Sequence, residues 1–154
     1  MKKTKRNKHQ IHIQNVSRAK NIPSRYLLKK WAQHALQNIK GSTEISIRIV
    51  DNSESQTLNH QFRKKDKPTN VLAFPFETPE KIKLNYLGDL VICAPVVAKE
   101  AREQKKLLQA HWAHMVIHGS LHLQGYDHIK KQDAFIMENL EIKLLAELNY
   151  PNPY

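Results

Sequence analysis

Apolar and polar positions alternate with a period of two over residues 44–50, and this pattern predicts a half-buried β-strand. Shorter apolar runs predict three further strands, near residues 11–16, 70–74 and 87–93. The polar residues 77–85 separate the last two and predict a loop. The chain is therefore expected to contain a small sheet of about four strands.

Apolar residues at every third or fourth position predict five helices between and after these strands. The predicted ranges are Pro23 to Gly41, Ser53 to about Lys65, Pro95 to about Lys106, about Leu108 to Leu123, and about Lys131 to Asn149. Ser53 and Gln56 form a capping-box pair that opens the second helix. Phe135 and Ile136 are assigned to the apolar side of the fifth helix. Helices and strands in mixed order predict a single α+β domain, with about five helices and a mixed sheet of about four strands.

Length and composition add the class of protein to this picture. A chain of 154 residues with 40% hydrophobic and 25% charged residues is typical of one soluble globular domain. No apolar run approaches the ~18 residues needed to cross a membrane, and no secretory signal follows the basic first residues. The single cysteine, Cys93, excludes an internal disulfide and fits a reducing compartment. A cytoplasmic protein is therefore expected.

The formal net charge of +11 makes polyanions the expected partners, because phosphate neutralisation drives most non-specific nucleic-acid binding. Part of this charge lies in residues 1–9, which we predict to be a disordered tail before a domain at residues 10–154. The tail is as consistent with a solvated end as with an arm that contacts RNA. A second basic cluster, residues 63–67, lies inside the predicted domain.

Three histidines at positions i, i+4 and i+10 stand near the end of the fourth predicted helix. His118 and His122 lie one turn apart on one helix face, at ~1.5 Å rise per residue. Gly125 can adopt the positive φ that ends a helix and turns the chain back, which brings His128 towards the same point. Three neutral imidazoles leave a fourth position for water, as in catalytic zinc sites. One zinc ion per chain is therefore expected at the end of this helix.

The spacing is that of the zincin motif H-E-x-x-H-x-x-G-x-x-H without its glutamate, since Gly119 follows the first histidine. Zinc proteases use that glutamate as a general base, so the site is expected to bind metal without cleaving peptides in the usual way. Nickel, copper or iron would also bind three imidazoles. A closed structural zinc site is less favoured, because Cys93 is the only thiol and lies in a predicted strand.

Two further histidines, His111 and His114, share the helix face that carries His118 and His122. His114 lies one turn before His118, where it could support a ligand or face a substrate. For both residues a structural role is the stronger interpretation. Asp127, beside the third histidine of the motif, could accept a hydrogen bond from an imidazole or cap the next helix.

Three blocks of sequence carry information beyond the apolar pattern and the histidine spacing. They are Leu58-Asn-His-Gln-Phe-Arg-Lys-Lys-Asp66 followed by Pro68-Thr-Asn-Val-Leu-Ala-Phe-Pro75, then Leu87-Gly-Asp-Leu-Val-Ile92, and His118-Gly-Ser-Leu-His-Leu-Gln-Gly-Tyr-Asp-His128. Together they resemble the YbeY family of bacterial rRNA maturation factors, over about residue 44 to the last residue. The third block is the most specific.

This resemblance implies a metal-dependent endoribonuclease that acts on single-stranded RNA. It implies a role in 16S rRNA 3′-end maturation and ribosome quality control, with the small ribosomal subunit as a partner. The family's zinc ligands fall on His118, His122 and His128, and its functionally important arginine falls on Arg63.

The chain departs from the family pattern at two positions. Lys64 stands where glycine is common, which leaves the shape of the loop after Arg63 open. Ala73 stands where serine is common. Neither departure affects the expected metal ligands.

The expected mechanism uses the metal and Arg63, whose guanidinium can bind a phosphate bidentately and stays charged. His114 is the nearest candidate for moving a proton, because Gly119 leaves the usual position without a carboxylate. Water and the substrate's 2′-hydroxyl are both open as nucleophiles, and a 2′,3′-cyclic phosphate product would favour the hydroxyl. Two other functions also stay open: a non-catalytic ribosome-assembly factor with a structural metal, and a metallohydrolase of another substrate. The positive charge and the missing glutamate disfavour the second.

Overall fold

The computed structural model of this chain describes residues 9–77 and 85–154, and within these ranges it contains four strands and five helices. In chain order the elements are β1 (His9–Asn15), α1 (Arg25–Ala35), β2 (Thr43–Val50), α2 (Asn52–Arg63), β3 (Val71–Pro75), β4 (Tyr86–Cys93), α3 (Ala94–Glu103), α4 (Leu108–Leu123) and α5 (Lys131–Glu147). The predicted fold class, a single α+β domain, is confirmed. None of the helices in the described ranges is long and apolar enough to cross a membrane.

The strand boundaries follow the apolar pattern closely. β1 begins at His9, which is buried, so this residue belongs to the sheet and not to the predicted tail. The other tail residues, 1–8, and most of the predicted loop, 78–84, lie outside the described residues.

The four strands form one mixed sheet in the order β1-β2-β4-β3. β1, β2 and β4 are parallel, while β3 pairs antiparallel with β4. The register sets Ile11 beside Ile45 and Ile47 beside Leu90, so branched apolar side chains line up on one face of the sheet. That face belongs to the main core together with α1 and α4.

Helix α4 lies at the centre of the molecule. It contacts α1, α3, α5, β3 and β4, and eleven of its sixteen residues are buried. Large side chains such as Trp112 and Ile117 are almost completely inaccessible, and burying each contributes roughly 1.5–3 kcal/mol. A helix held on so many sides presents the residues at its end in a fixed position.

Helix α2 covers part of the opposite face of the sheet, where a smaller apolar cluster lies. Its buried members are Val50, Leu72, Val91 and Cys93, with Leu58 and Phe74 packed against them. The two faces therefore carry different elements: α4 and its histidines on one, α2 and Arg63 on the other.

The capping-box prediction for α2 is wrong. The helix begins one residue earlier than predicted, at Asn52, with Asp51 as its N-cap residue and no side-chain cap. The Asp51 carboxylate instead accepts hydrogen bonds from the Ser17 hydroxyl at 2.5 Å and the Arg18 N–H at 3.0 Å. Ser53 is thus inside the first turn, and Asp51 ties the helix start to the segment after β1.

The predicted apolar side of α5 is wrong in its first turns. Phe135 is 70% exposed and Ile136 is 50% exposed. The buried stripe consists of Met137, Glu141, Leu144 and Leu145, at positions i, i+4, i+7 and i+8. The charged residue Glu141 lies in the middle of this stripe. If Glu141 is assumed to face solvent, the apolar face of the helix is predicted to include Phe135 and Ile136 instead.

Candidate metal centre

The end of α4 has the backbone conformation that the sequence predicts. Gly125 has φ +97°, and its N–H donates to the carbonyl of His122 at 3.0 Å. The Tyr126 N–H donates to the carbonyl of Leu121 at 3.2 Å. This pair of bonds is a Schellman motif, which stops the helix and reverses the chain. The reversal carries residues 126–128 back past the helix end.

Three imidazoles meet at this reversal. Nε2 of His118 lies 3.1 Å from Nε2 of His122, which in turn lies 3.1 Å from Nδ1 of His128. One ring nitrogen from each residue lies within 4.8 Å of the other two. His118 and His122 are partly exposed and His128 is exposed, so a substrate can reach the point that they surround.

Hydrogen bonds on the far side of two rings determine which nitrogen is available. Nδ1 of His118 contacts a carboxylate oxygen of Glu141, and Nδ1 of His122 contacts the carbonyl oxygen of Tyr126 at 3.0 Å. Both acceptors require a proton on Nδ1. Each Nε2 therefore carries a lone pair, and the two lone pairs point at one region of space.

This donor set fits a zinc ion. With Zn–N bonds of 2.0–2.1 Å, neighbouring nitrogens of a tetrahedral site lie about 3.3 Å apart, close to the two separations of 3.1 Å. Burial, together with the neighbouring imidazoles of His118 and His128, lowers the pKa of His122 to about 4. The ring is consequently neutral at pH 7 and able to bind a cation. Three imidazole donors would leave the fourth position of a tetrahedral zinc ion open.

Glu141, which the sequence prediction missed, supports this centre from α5. Its side chain is fully buried, and besides His118 its carboxylate contacts the hydroxyl of Tyr154 and Nε2 of His114. Burial by itself would raise the pKa of Glu141, but these hydrogen bonds lower it to about 2. The one signal in the sequence was a charged residue in an otherwise apolar stripe, between Met137 and Leu144.

His114 and His111 occupy the interior part of the same helix face. His114 is 7% exposed, and its Nε2 lies 3.3 Å from Glu141. Burial lowers the pKa of His114, against the influence of the Glu141 carboxylate. His111 lies 3.1 Å from Glu100 of α3, which also accepts from Asn70. The structure thus brings His114 into contact with the carboxylate behind His118, and places His111 farther from the three converging rings.

Asp127 holds the backbone of the third histidine. Its Oδ1 accepts a hydrogen bond from the N–H of His128 at 2.7 Å. This contact fixes the turn that positions His128. The N-cap residue of α5 is Lys130 and not Asp127.

Gly119, where the zincin motif has its glutamate, faces the sheet. A Cβ at this position would lie 2.8 Å from a methyl group of Leu90 and 3.2 Å from one of Val71. The close approach of α4 to the sheet therefore depends on the absence of a side chain here. A carboxylate at position 119 would enter the core and not the metal centre.

Arg63 ends α2 on the opposite face of the sheet, yet near the same end of the sheet as the histidines. Its neighbour Phe62 packs edge-on against Phe74 near the end of β3, with ring centroids 5.0 Å apart. At this end of the sheet, β3 pairs with β4 at Gly88. Gly88 also lies against the end of α4, since a Cβ added to it would be 2.9 Å from the side chain of Leu123, the last residue of that helix. The exposed Arg63 and the imidazoles thus lie on the two sides of the end of β3.

Lys64 adopts the conformation for which glycine is suited. Its φ and ψ are 60° and 26°, in the left-handed region, and its N–H donates to the carbonyl of His60 at 3.1 Å. The turn after Arg63 therefore has the shape that glycine would allow. Lysine adopts it at a cost of roughly 1–2 kcal/mol.

The chain is similar to known proteins over most of its length. The family described as Endoribonuclease YbeY matches residues 12–149 of the chain. Among solved structures, a protein from Thermotoga maritima, determined in solution, is similar with a TM-score of 0.58 and 28% sequence identity. The alignment covers 91% of this chain and 92% of that one, so the likeness extends over the whole fold.

Proposed function

The chain belongs to the YbeY family of endoribonucleases, and from that membership we propose that it cleaves single-stranded RNA with one zinc ion held by His118, His122 and His128. As a member of this family it is a hydrolase that acts on RNA in rRNA maturation. The proposal adds the metal, its ligands and the strand preference.

One observation carries the metal assignment. Nε2 of His118 and Nε2 of His122 lie 3.1 Å apart, while the Nδ1 atom of each ring is bound to a different acceptor. Two lone pairs facing each other at this distance repel unless a cation or a proton lies between them. The lowered pKa of His122 disfavours the proton, and a metal cation satisfies both rings.

Arg63 is proposed to bind the phosphate that is cleaved. It is exposed at the end of α2, so its guanidinium can reach a strand that passes the end of β3. A zinc ion at the three histidines would supply Lewis-acid chemistry, polarising the phosphate and lowering the pKa of a water molecule. Arg63 would neutralise the charge that develops on the non-bridging oxygens, a contribution of roughly 100-fold in rate.

The sequence predicts His114 as the candidate for proton transfer, and its surroundings favour an indirect role. Its Nε2 faces Glu141, and its side chain is buried behind His118. We propose that His114 holds the Glu141 carboxylate. Proton transfer to the leaving group is then left to a water molecule or to the substrate itself.

The biological setting of this chemistry is proposed from the family and the charge. A net charge of +11 favours a polyanionic partner such as the small ribosomal subunit. The proposed reaction is the maturation of the 16S rRNA 3′ end, with a related part in ribosome quality control.

The test is cleavage of an end-labelled single-stranded RNA by wild type, His122→Ala and Arg63→Glu, purified in parallel. Wild type alone should cleave, and only His122→Ala should lose bound zinc. Equal cleavage by all three proteins would indicate a contaminating nuclease. Zinc binding without cleavage by any of them would favour an assembly factor whose metal is structural.

A further inference from the structure

Glu141 is a buried carboxylate whose two oxygens have different partners. Among the described residues, Oε1 contacts Nδ1 of His118 alone. Oε2 contacts both Nε2 of His114, at 3.3 Å, and the hydroxyl of Tyr154. The groups that bind Oε2 therefore determine the orientation of the carboxylate, and with it the contact between Oε1 and His118.

The two groups at Oε2 contribute unequally. The contact from His114 is long for a hydrogen bond to an ionised acceptor, which is usually 2.7–2.9 Å. The Tyr154 hydroxyl has no other partner among the described contacts, and it donates directly to Oε2. Its ring also packs edge-on against His114, with centroids 5.5 Å apart. Tyr154 thus contacts both the carboxylate and the histidine beside it.

The segment that carries Tyr154 is itself held in place. After α5 the chain turns at Asn149, whose φ is +66°. The amine of Lys106 donates to the carbonyl of Pro153 at 2.5 Å, and the N–H of Tyr154 donates to Asn152 at 2.9 Å. These contacts anchor residues 149–154 against the turn between α3 and α4. The position of the hydroxyl is therefore determined by the fold.

We propose that Tyr154 is a positioning residue for the metal centre, acting through Glu141 on the orientation and tautomer of His118. The inference rests on the proposed metal site at His118, His122 and His128. Residues that hydrogen-bond to a metal ligand from behind usually change metal affinity by 10–100-fold when they are removed. Because Tyr154 acts through Glu141, we expect the lower end of that range.

The test compares Tyr154→Phe with Tyr150→Phe, since each change removes one hydroxyl from the same segment. The Tyr150 hydroxyl accepts from the Gln109 amide at 2.8 Å, away from the metal centre. Zinc affinity is measured by competition with a chelator, and the ligand field by the visible spectrum of the cobalt-substituted protein. Tyr154→Phe should weaken zinc binding about 10-fold and shift the cobalt bands, whereas Tyr150→Phe should do neither.

Glu141→Gln provides the coupling test. If Tyr154 acts through Glu141, adding Tyr154→Phe to Glu141→Gln should weaken binding by less than about 2-fold more. Unfolding of the metal-free proteins separates positioning from folding: Tyr154→Phe removes a donor from the buried Glu141 carboxylate and should cost more stability than Tyr150→Phe, but both variants should be fully folded at the assay temperature.

The inference is overturned if Tyr154→Phe binds zinc as wild type does, or if its effect persists in full beside Glu141→Gln. His122→Ala serves as the reference without a complete site. If wild type and His122→Ala bound zinc equally well, that result would contradict the proposed metal site itself. The two failures are therefore distinguishable.

Discussion

Four histidines, three or four residues apart along one face of α4, lie in two different environments. His111 and His114 lie in the interior part of the helix, where each contacts a carboxylate, Glu100 or Glu141. His118 and His122 lie in the last turns, where their Nε2 atoms face each other. Residue type and helical period are identical in the two halves, so neither determines the role of a histidine.

The difference comes from what surrounds each half. The interior half is enclosed by α3 and α5, which supply the acidic partners. The outer half lies where Gly125 turns the chain and returns His128 to the helix. A metal site therefore needs the helix end as much as the histidine spacing, because only there can a third imidazole approach from outside the helix.

Replacing one histidine in each half of the helix should give the largest difference in zinc affinity between the two environments. His118→Ala should weaken zinc binding by roughly 10³-fold, since a bound zinc ion contributes ~10–16 kcal/mol shared among its ligands. His111→Ala should leave zinc affinity within about 3-fold of wild type. It should instead destabilise the fold by about 2–4 kcal/mol, through a cavity and the loss of a partner for Glu100. Chelator competition and chemical denaturation measure the two effects.

The contrast would fail if His111→Ala lost zinc as severely as His118→Ala while remaining folded. That result would mean that the four histidines act as one unit. Circular dichroism of both variants at the assay temperature provides the folding control.

A second prediction concerns the helix side that faces the sheet. Gly119→Glu restores the glutamate of the zincin motif in sequence, but its side chain would enter the space filled by Leu90 and Val71. Overpacking and a buried unpaired charge together should destabilise the protein by more than about 4 kcal/mol. Gly119→Ala adds only a methyl group, against flexible side-chain atoms, and should cost about 1–3 kcal/mol.

Thermal unfolding of the two variants measures this cost, and a peptidase assay gives a second readout. A stable Gly119→Glu protein that cleaves peptides would show that position 119 faces the metal centre. We expect the Gly119→Glu protein to be unstable and to have no peptidase activity.

The helix that carries the site was predictable to its boundaries. Residues 108–123 were predicted and observed as α4, because apolar spacing defines the helix and Gly125 defines its end. The convergence of His128 followed from the same glycine. These features are local in sequence, so the physical rules for helices and turns suffice for them.

Glu141 and Tyr154 could not be predicted because they reach the site through tertiary packing. A glutamate on a helix is usually exposed, and only the approach of α5 to α4 shows that this one is buried. The position of Arg63 near the site likewise depends on the strand order, since α2 and α4 lie on opposite faces of the sheet. Sequence resemblance could identify Arg63, but its side of the sheet follows only from the fold.

The third and smallest prediction uses pH to separate the two halves in the metal-free protein. The pKa of His122 is about 4 in the folded state, against about 6.5 for an unperturbed imidazole. Below pH 6.5 the unfolded chain therefore binds a proton that the folded protein does not. The contribution of His122 to stability should level off above about pH 7 and fall as the pH drops towards 4. At about 1.4 kcal/mol per pH unit the full shift would give about 2 kcal/mol between pH 7 and 5, and solvent screening at this half-buried ring reduces the expected loss to about 1 kcal/mol.

Chemical denaturation of chelator-treated protein at pH 7 and pH 5 measures this loss. His122→Gln should reduce it by about 1 kcal/mol, because the variant has no group that titrates at this position. His114→Gln should reduce it less, since the Glu141 carboxylate partly offsets the effect of burial on the pKa of His114. Equal reductions in the two variants would mean that burial alone governs these imidazoles. A larger reduction in His122→Gln would instead support the distinction between imidazoles whose Nε2 contacts a carboxylate and imidazoles whose Nε2 atoms face each other.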